Sequence, residues 1–396
     1  MPWKTCNREE ARWRFIAERL ALKAGDTLMQ LCRRHQISRI CGWKWWRRFL
    51  ASRGRAALRE ASRVPASAEA KRQRWEPRVR QALRAERRFG PKKLRWWLRR
   101  HYPRERCPSV RTLARWLQRW GKVRKYPHRA RPGPPVKLAG RLAGRSPNDV
   151  WTMDLKGSFL TRGRQRVTPL TVRDLATCAV LLVYHVGHGG EREIAPVMRR
   201  LFRRLGLPKA IRTDNGSPFG ALGPRGWSGL AVSWVKQGIR LEYGRPRNPQ
   251  DNAEHEQMHR LLKDHTARPA SVSVAAQQRR FERWRQWYNH RRPHERLGMQ
   301  VPAQRYRPSK RRWRRVPPSW NYPRHWLKLR LDAKGRWQWR QRQRLIGGAF
   351  AHETLAARSL NADTLAIYFR SFLIGTLHAK DLGGLRPVQW RPKTHQ

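Results

Sequence analysis

Residues 251–265, DNAEHEQMHRLLKDH, restrict the fold more than any other stretch of the chain. At ~100° per residue, Asn252, His259, Arg260 and Lys263 fall within about 60° of Glu256, and Met258, Leu261 and Leu262 lie opposite. The spacing predicts an amphipathic helix that packs through its Met/Leu face and presents a carboxylate among basic groups. Asp251, with Glu254 three residues on, reads as a capping box, which gives Glu254 a structural task and leaves Glu256 without one. The middle, HEQMH, also fits the H-E-x-x-H spacing of zinc-binding helices. The longer form of that motif needs a glycine turn before a third histidine, and here the position is Leu262. An unbroken helix puts His265 about 120° around the axis from His259, beyond reach of the same ion. A zinc site would also leave the charge of the chain unexplained.

That charge is extreme. Lys and Arg number 90 against 26 Asp and Glu among 396 residues, a formal charge of +64. Such a chain calls for a polyanion, and nucleic acid is the first expectation. A composition biased toward Arg, Trp, Gly, Pro and Ala by a GC-rich genome contributes, yet 90 basic groups would bind phosphate whatever their origin. Each acid in an apolar setting is therefore informative. Cys6, Cys32, Cys41, Cys107 and Cys178 are scattered, without zinc-knuckle or disulfide spacing, which suits a reducing compartment. With no signal peptide and no apolar run near the ~18 residues of a membrane span, the expected location is the cytoplasm, on the nucleoid.

In chain order, residues 12–23, 28–35 and 39–49 read as three helices, the second capped by Thr27 and the third by Ser38. The last two form a helix-turn-helix. The final helix carries Arg39, Lys44, Arg47 and Arg48 among tryptophans, as a helix entering the major groove of DNA would; a three-helix bundle with no DNA role is the plain alternative. After a hinge at 54–65, residues 76–87, 91–101 and 109–120 form a second three-helix set, with Ser109 as a cap. Residues 122–146 read as a basic Pro/Gly-rich linker. Strands are expected at 150–160, 167–172 and 177–186, followed by helix 192–205, strand 209–213, helix 228–237, strand 239–243 and helix 274–290. Three antiparallel strands followed by alternating helices and strands suggest a mixed sheet covered by helices.

Two acids stand out. Asp154 lies inside the apolar strand VWTMDLKGSFL, where an unpaired carboxylate would cost several kcal/mol. Asp214 ends the strand KAIRTD and opens the turn Asn215-Gly216, a place where aspartate also serves as a plain turn former, as Asp174 does in RDLAT. A strand-borne Asp, a strand-end Asp and the helix-borne Glu256 can converge at a sheet edge. Their hard oxygens suit Mg²⁺, with two ions activating the attacking oxygen and stabilising the leaving one in phosphodiester exchange. Arg260, Lys263 and neighbouring basic groups would hold the DNA backbone.

VWTMDLKG, IRTDNGSPF, NPQDNAEHEQMHRLLK and YNHRRPHERLG together resemble, in order, the blocks of the retroviral-integrase catalytic core found in bacterial insertion-sequence transposases of the DDE type. LCRRHQISRICGWKWWRRF resembles their N-terminal helix-turn-helix, so the likeness covers most of residues 12–308. It implies a multidomain chain: N-terminal all-α helix-turn-helix modules at 1–65 and 66–121, a basic linker at 122–146, an α/β RNase H-like integrase core at 147–308, and a small C-terminal all-β domain at 309–396. It further implies Asp154, Asp214 and Glu256 as the catalytic, metal-holding triad for two Mg²⁺ ions, with Mn²⁺ as a substitute. The implied reaction is 3′-end cleavage at terminal inverted repeats and strand transfer into target DNA, by a homo-oligomer on double-stranded DNA. Tyr288, Asn289, Arg292, Pro293 and His294 match the closing block, as scaffold and DNA contact. Asp214 and Glu256 are 42 positions apart (256 − 214), longer than the family's usual spacing. The extra length fits the loop at 220–229, and Glu254 is the fallback ligand. At the C-terminus, residues 305–315 form a basic tether, 326–341 a hairpin turning at Lys334-Gly335, and 364–369 and 372–378 further strands, either a DNA grip or a brace for the core. A catalytically silent DNA-binding protein derived from a transposase is the rival reading; the three costly acids argue against it.

Overall fold

A computed structural model of the chain describes residues 7–22, 26–52, 54–60, 65–86, 88–122, 142–155, 157–213, 219, 227–244, 253–381 and 383–387. The chain divides into two compact units, Met1–Val123 and Arg124–Gln396. Among the described residues, no helix is long and apolar enough to cross a membrane.

In the first unit, helices α1 (Arg8–Leu20), α2 (Leu28–Arg34) and α3 (Arg39–Ser52) enclose Phe15, Ile16, Leu31, Trp45, Phe49 and Leu58. Local chemistry sets their ends. Thr27 and Gln30 cap α2 reciprocally, Ser38 Oγ accepts the Cys41 N–H at 3.2 Å, and Gln36 takes the left-handed conformation (φ 52°) that turns the chain between α2 and α3. Gly42 lets the two helices close up, because a Cβ there would stand 2.4 Å from Cys32 Sγ.

The second helical set is α4 (Ala66–Ala85), α5 (Pro91–His101) and α6 (Val110–Arg119), packed through Trp75, Val79, Leu94, Leu98, Leu113 and Leu117. Ser109 caps α6 as expected, its Oγ accepting the Thr112 N–H at 3.1 Å. The first helix begins at Ala66 rather than Glu76, which corrects the sequence reading. Pro77 looks like a helix start, yet it sits inside α4. The strong helix formers ahead of it (Ala68, Glu69, Ala70, Lys71, Arg72, Gln73) outweigh the hydrogen bond it removes.

The second unit holds a mixed sheet. Strands β1 (Val150–Leu155), β2 (Phe159–Leu160), β3 (Arg166–Val167), β4 (Pro169–Asp174) and β5 (Val180–His185) are followed by α7 (Glu191–Leu205), β6 (Ala210–Thr213), α8 (Gly229–Lys236) and β7 (Arg240–Tyr243). The main sheet runs β5-β4-β1-β6-β7, with β4 antiparallel to both the central β1 and β5, and β6 and β7 parallel to β1. That arrangement fits the expected RNase H-like core. The expected strand 150–160 is two pieces, β1 and β2. One sheet face buries Trp151, Met153, Leu170, Val172 and Ile211 against Met198, Leu201 and Phe202 of α7 and Trp234 of α8. On the other, α9 (Ala253–Thr266) and α10 (Val274–His290) bring Met258, Leu262, Phe281 and Trp284 onto Val180 and Val183.

Beyond the core come α11 (Pro302–Arg305) and strands β8 (Leu327–Arg330), β9 (Arg336–Trp339), β10 (Arg342–Leu345), β11 (Thr354–Asn361), β12 (Thr364–Phe369), β13 (Phe372–His378) and β14 (Arg386–Pro387). The expected hairpin at Lys334-Gly335 does not form. β8 pairs with β11, and β9 pairs with β10. The Asp332 carboxylate closes the turn, accepting the N–H groups of Lys334 and Arg336, each at 2.8 Å, but the strands on either side take other partners, β11 for β8 and β10 for β9. Leu329 of β8 is then buried against β11.

These strands lie against the core. Trp227, just before α8, inserts among Phe350, Phe369 and Phe372 with ring centroids 5.4–5.8 Å apart, and Lys236 Nζ donates to Glu353 at 2.6 Å. Removing this wedge by Trp227→Ala should cost roughly 2–3 kcal/mol, less than a fully buried tryptophan, read as a lower urea midpoint of the full chain. Trp320→Ala, at a ring 45% exposed, should stay within about 0.5 kcal/mol.

Candidate active site

Side-chain alternation on β1 divides its chemistry between two faces. Trp151 and Met153 enter the apolar core, and Thr152 and Asp154 turn to the face covered by α9. The antiparallel register sets Thr171 beside Asp154 and Arg173 beside Thr152. Four polar side chains thus line the β1–β4 seam.

Helix α9 meets that seam with His255, Met258, His259, Leu262 and Thr266 buried, a spacing of three and four residues. This corrects the expectation that His259 shares the polar face with Glu256. Both histidines are buried because the strands offer partners. Thr152 Oγ1 lies 2.9 Å from His255 Nδ1, and Thr171 Oγ1 lies 2.6 Å from His255 Nε2 and 2.7 Å from His259 Nε2. His259 Nδ1 stands 3.4 Å from Asp154 Oδ2. Burial, then the charges of His259 and Arg173, holds the His255 imidazole well below its ordinary range, so it is neutral.

Glu256 is exposed on the outer side of α9, with Arg260 and Lys263 exposed on the same helix. Glu254 has fixed partners: Arg173 Nη2 donates to it at 2.9 Å, and Arg296 Nη1 at 2.7 and 2.8 Å. Asp214, the capping residue Asp251 and residues 220–226 lie outside the described residues; β6, which Asp214 follows in sequence, is the parallel neighbour of β1.

Asp154, His255 and His259 bring one potential ligand atom each within 4.8 Å of one another, though Thr171 already engages both Nε2 atoms. Glu256 does not join them as a zinc-helix glutamate would, and His265 packs on Trp287 with ring centroids 4.7 Å apart. Asp174 is a turn former: its carboxylate accepts from Asn148 N, Thr177 N and Thr177 Oγ1 at 2.6–2.8 Å, and burial raises its pKa. Asn289 is scaffold, bonded to both the N–H and the carbonyl of Val180.

On α3, Arg39, Lys44 and Arg47 are exposed, whereas Arg48 is half-buried with its guanidinium 5.2 Å over the Trp45 ring. The sequence reading missed Ile40 (83% exposed), which shares the open face with the basic residues and with Trp43 (49%). It also missed the Thr–His network. The four-residue spacing of the histidines was the available signal, read there only for zinc.

An uncharacterized 39.2 kDa protein of insertion element IS476 from Xanthomonas euvesicatoria is 32% identical over 261 residues, which span 64% of this chain and 70% of that protein. The chain belongs to the insertion-sequence transposases of the DDE type. The integrase core domain family matches residues 237–302 of this transposase. A 31.7 kDa protein of insertion element IS407 from Burkholderia multivorans is 29% identical over 160 residues, 40% of the transposase and 55% of that protein. Among solved structures, the HTLV-2 integrase catalytic core domain in complex with magnesium is 14% identical over 41% of the transposase and 97% of that chain, with a TM-score of 0.31. The simian T-cell lymphotropic virus intasome in complex with PP2A regulatory subunit B56 gamma is 15% identical over 70% and 93%, with a TM-score of 0.36.

The ion-pair geometry gives a stability test. Arg173 is almost wholly buried, and Glu254 is about half exposed. Glu254→Gln should therefore cost roughly 1–2 kcal/mol, below the cost of breaking a fully buried pair, measured by urea denaturation. Arg296→Gln, at the exposed partner, should cost less than about 1 kcal/mol.

Proposed function

We propose that this transposase cuts the 3′ ends of its element at terminal inverted repeats and joins them to target DNA, using Asp154, Asp214 and Glu256. In the first step a water oxygen attacks phosphorus and the P–O3′ bond breaks, leaving a free 3′-OH. In the second, that hydroxyl attacks a target phosphodiester, a new P–O3′ bond forms, and the target's own 3′ oxygen leaves. The observation that carries the reading is Asp154 on the central strand, under a helix that also bears Glu256. The donors suit a hard cation: the Asp154 carboxylate is 22% exposed, Glu256 is exposed, and both offer oxygen. With Asp214 they would hold two Mg²⁺ ions, or Mn²⁺ in their place, which supply activation of the attacking oxygen and stabilisation of the leaving one. Glu254, committed to Arg173 and Arg296, is the weaker candidate.

The protein's own side chains do the rest. Arg260 and Lys263 flank Glu256 on the outer face of α9 and would grip phosphates. We assign α2 and α3 as a helix-turn-helix, with Arg39, Lys44 and Arg47 on phosphates or guanine edges and Ile40 and Trp43 against thymine methyls. Two element ends must be joined, so the working form is an oligomer on double-stranded DNA.

Glu256→Gln keeps shape and removes charge. Cleavage of a terminal-repeat duplex should fall at least about a hundred-fold, the order that metal-stabilised charge supplies, with gel-shift affinity for the duplex unchanged. Equal cleavage by the variant removes Glu256 from the triad. Cleavage by neither protein, with DNA binding intact, favours the silent DNA-binding reading.

On α3, Arg47→Ala should weaken binding to all sequences and lower the salt slope by about one. Ile40→Ala should instead shrink the ratio of specific to non-specific affinity. Unchanged binding in both variants would rule out α3 as the reading helix.

A further inference from the structure

Helix α9 is docked on the sheet through directed hydrogen bonds as well as apolar contact. Hydrophobic contact is non-directional and tolerates sliding. The bonds from His255 and His259 to Thr152 and Thr171 do not, because a shift of one ångström breaks distances of 2.6–2.9 Å.

One proton arrangement satisfies every atom with both imidazoles neutral. Thr152 Oγ1–H donates to His255 Nδ1, His255 Nε2–H to Thr171 Oγ1, Thr171 Oγ1–H to His259 Nε2, and His259 Nδ1–H points at the Asp154 carboxylate. A charged His259 would donate from both nitrogens and free the Thr171 hydrogen for the Asp154 carbonyl, 3.0 Å away. In either arrangement the chain of bonds ends with His259 Nδ1–H directed at Asp154.

We propose that His255 and His259 are positioning residues for the transposase: through Thr152 and Thr171 they orient the Asp154 carboxylate and fix Glu256 at a set height above it. The inference rests on Asp154 and Glu256 being metal ligands. His255 precedes Glu256 by one residue and His259 follows it by three, so both anchors straddle the carboxylate on one helical turn. A carboxylate held from behind by an imidazole that is itself bonded is the arrangement that tunes ligands elsewhere.

The test measures Mn²⁺ binding to the full-length protein by isothermal titration calorimetry, with DNA binding and the thermal midpoint as parallel readouts. Thr171→Val keeps shape and removes the hydroxyl; it should weaken Mn²⁺ binding about ten-fold with terminal-repeat affinity unchanged. Thr171→Ser should restore Mn²⁺ affinity to nearly that of the wild type. His259→Asn retains an N–H at the position facing Asp154 but not the bond to Thr171, and should bind Mn²⁺ several-fold more tightly than His259→Gln. His259→Gln places its amide toward Thr171 and should bind as weakly as Thr171→Val. This Asn/Gln split decides the matter even if Thr171→Val fails to fold, and a purely structural role would not produce it. Asp154→Asn is the control. If it loses Mn²⁺ and the Thr171 and His259 variants do not, the positioning role is overturned and the ligand assignment stands. If Asp154→Asn binds Mn²⁺ as the wild type does, the ligand assignment falls, and this inference with it.

Discussion

Everything around the candidate site follows from one constraint: β1 is the centre of the sheet, and a central strand has two covered faces. Its neighbours β4 and β6 occupy both edges, so each side chain of β1 must be buried above or below. Trp151 and Met153 meet this by joining the apolar core. The carboxylate of Asp154, the next residue along, cannot. Asp154 survives because it lies near the open end of the strand, partly exposed, with an imidazole beside it. The covering helix must therefore bring polar atoms, and α9 brings two histidines.

The scarcity of acid shapes the rest. With 26 carboxylates against 90 basic side chains, most Arg and Lys residues have no acid available to them. Several of the acids go to guanidinium groups that are themselves out of water. Glu60 reaches Arg12, Glu254 reaches Arg173 and Glu242 reaches Arg212, all of them buried or nearly so. These pairings follow from cost, since an unpaired buried charge is penalised far more than an exposed one. The exposed cations are then left for an outside polyanion, and Glu256, set among Arg260 and Lys263, stands apart from the structural pairs.

Much of this was legible from residue patterns. Helix α10 runs over the span expected, Thr27 and Ser109 cap the helices they were expected to cap, and Asp174 closes its turn. Two of the misreadings share a cause, a local pattern overruled by a partner distant in sequence, and the third, at Pro77, is local. A helical wheel counts histidine as polar, so the burial of His255 and His259 becomes visible only once Thr152 and Thr171, roughly a hundred positions away, are set opposite them. Lys334-Gly335 looked like a hairpin turn until β8 found β11. Pro77 looked like a helix start, a preference that the helix formers before it outweigh. Asp214 lies outside the described residues, so its part in the site rests on the sequence and on the strand that precedes it.

The segment between β6 and α8 is where these arguments meet. It begins at Asp214 and ends at Trp227, whose ring is set in the aromatic group Phe350, Phe369 and Phe372. Packing is also continuous past residue 308, for Trp313 stacks on Phe202 with ring planes 7° apart, and Phe202 in turn stacks on Trp151 of β1. A hinged module would not show the Trp313–Phe202 contact. The strands after residue 326 hold the Trp227 ring through that aromatic group, as the histidines hold α9 on the sheet. Of the three proposed ligands, Glu256 thus sits on a helix whose position is set from behind, by contacts that take no part in the chemistry.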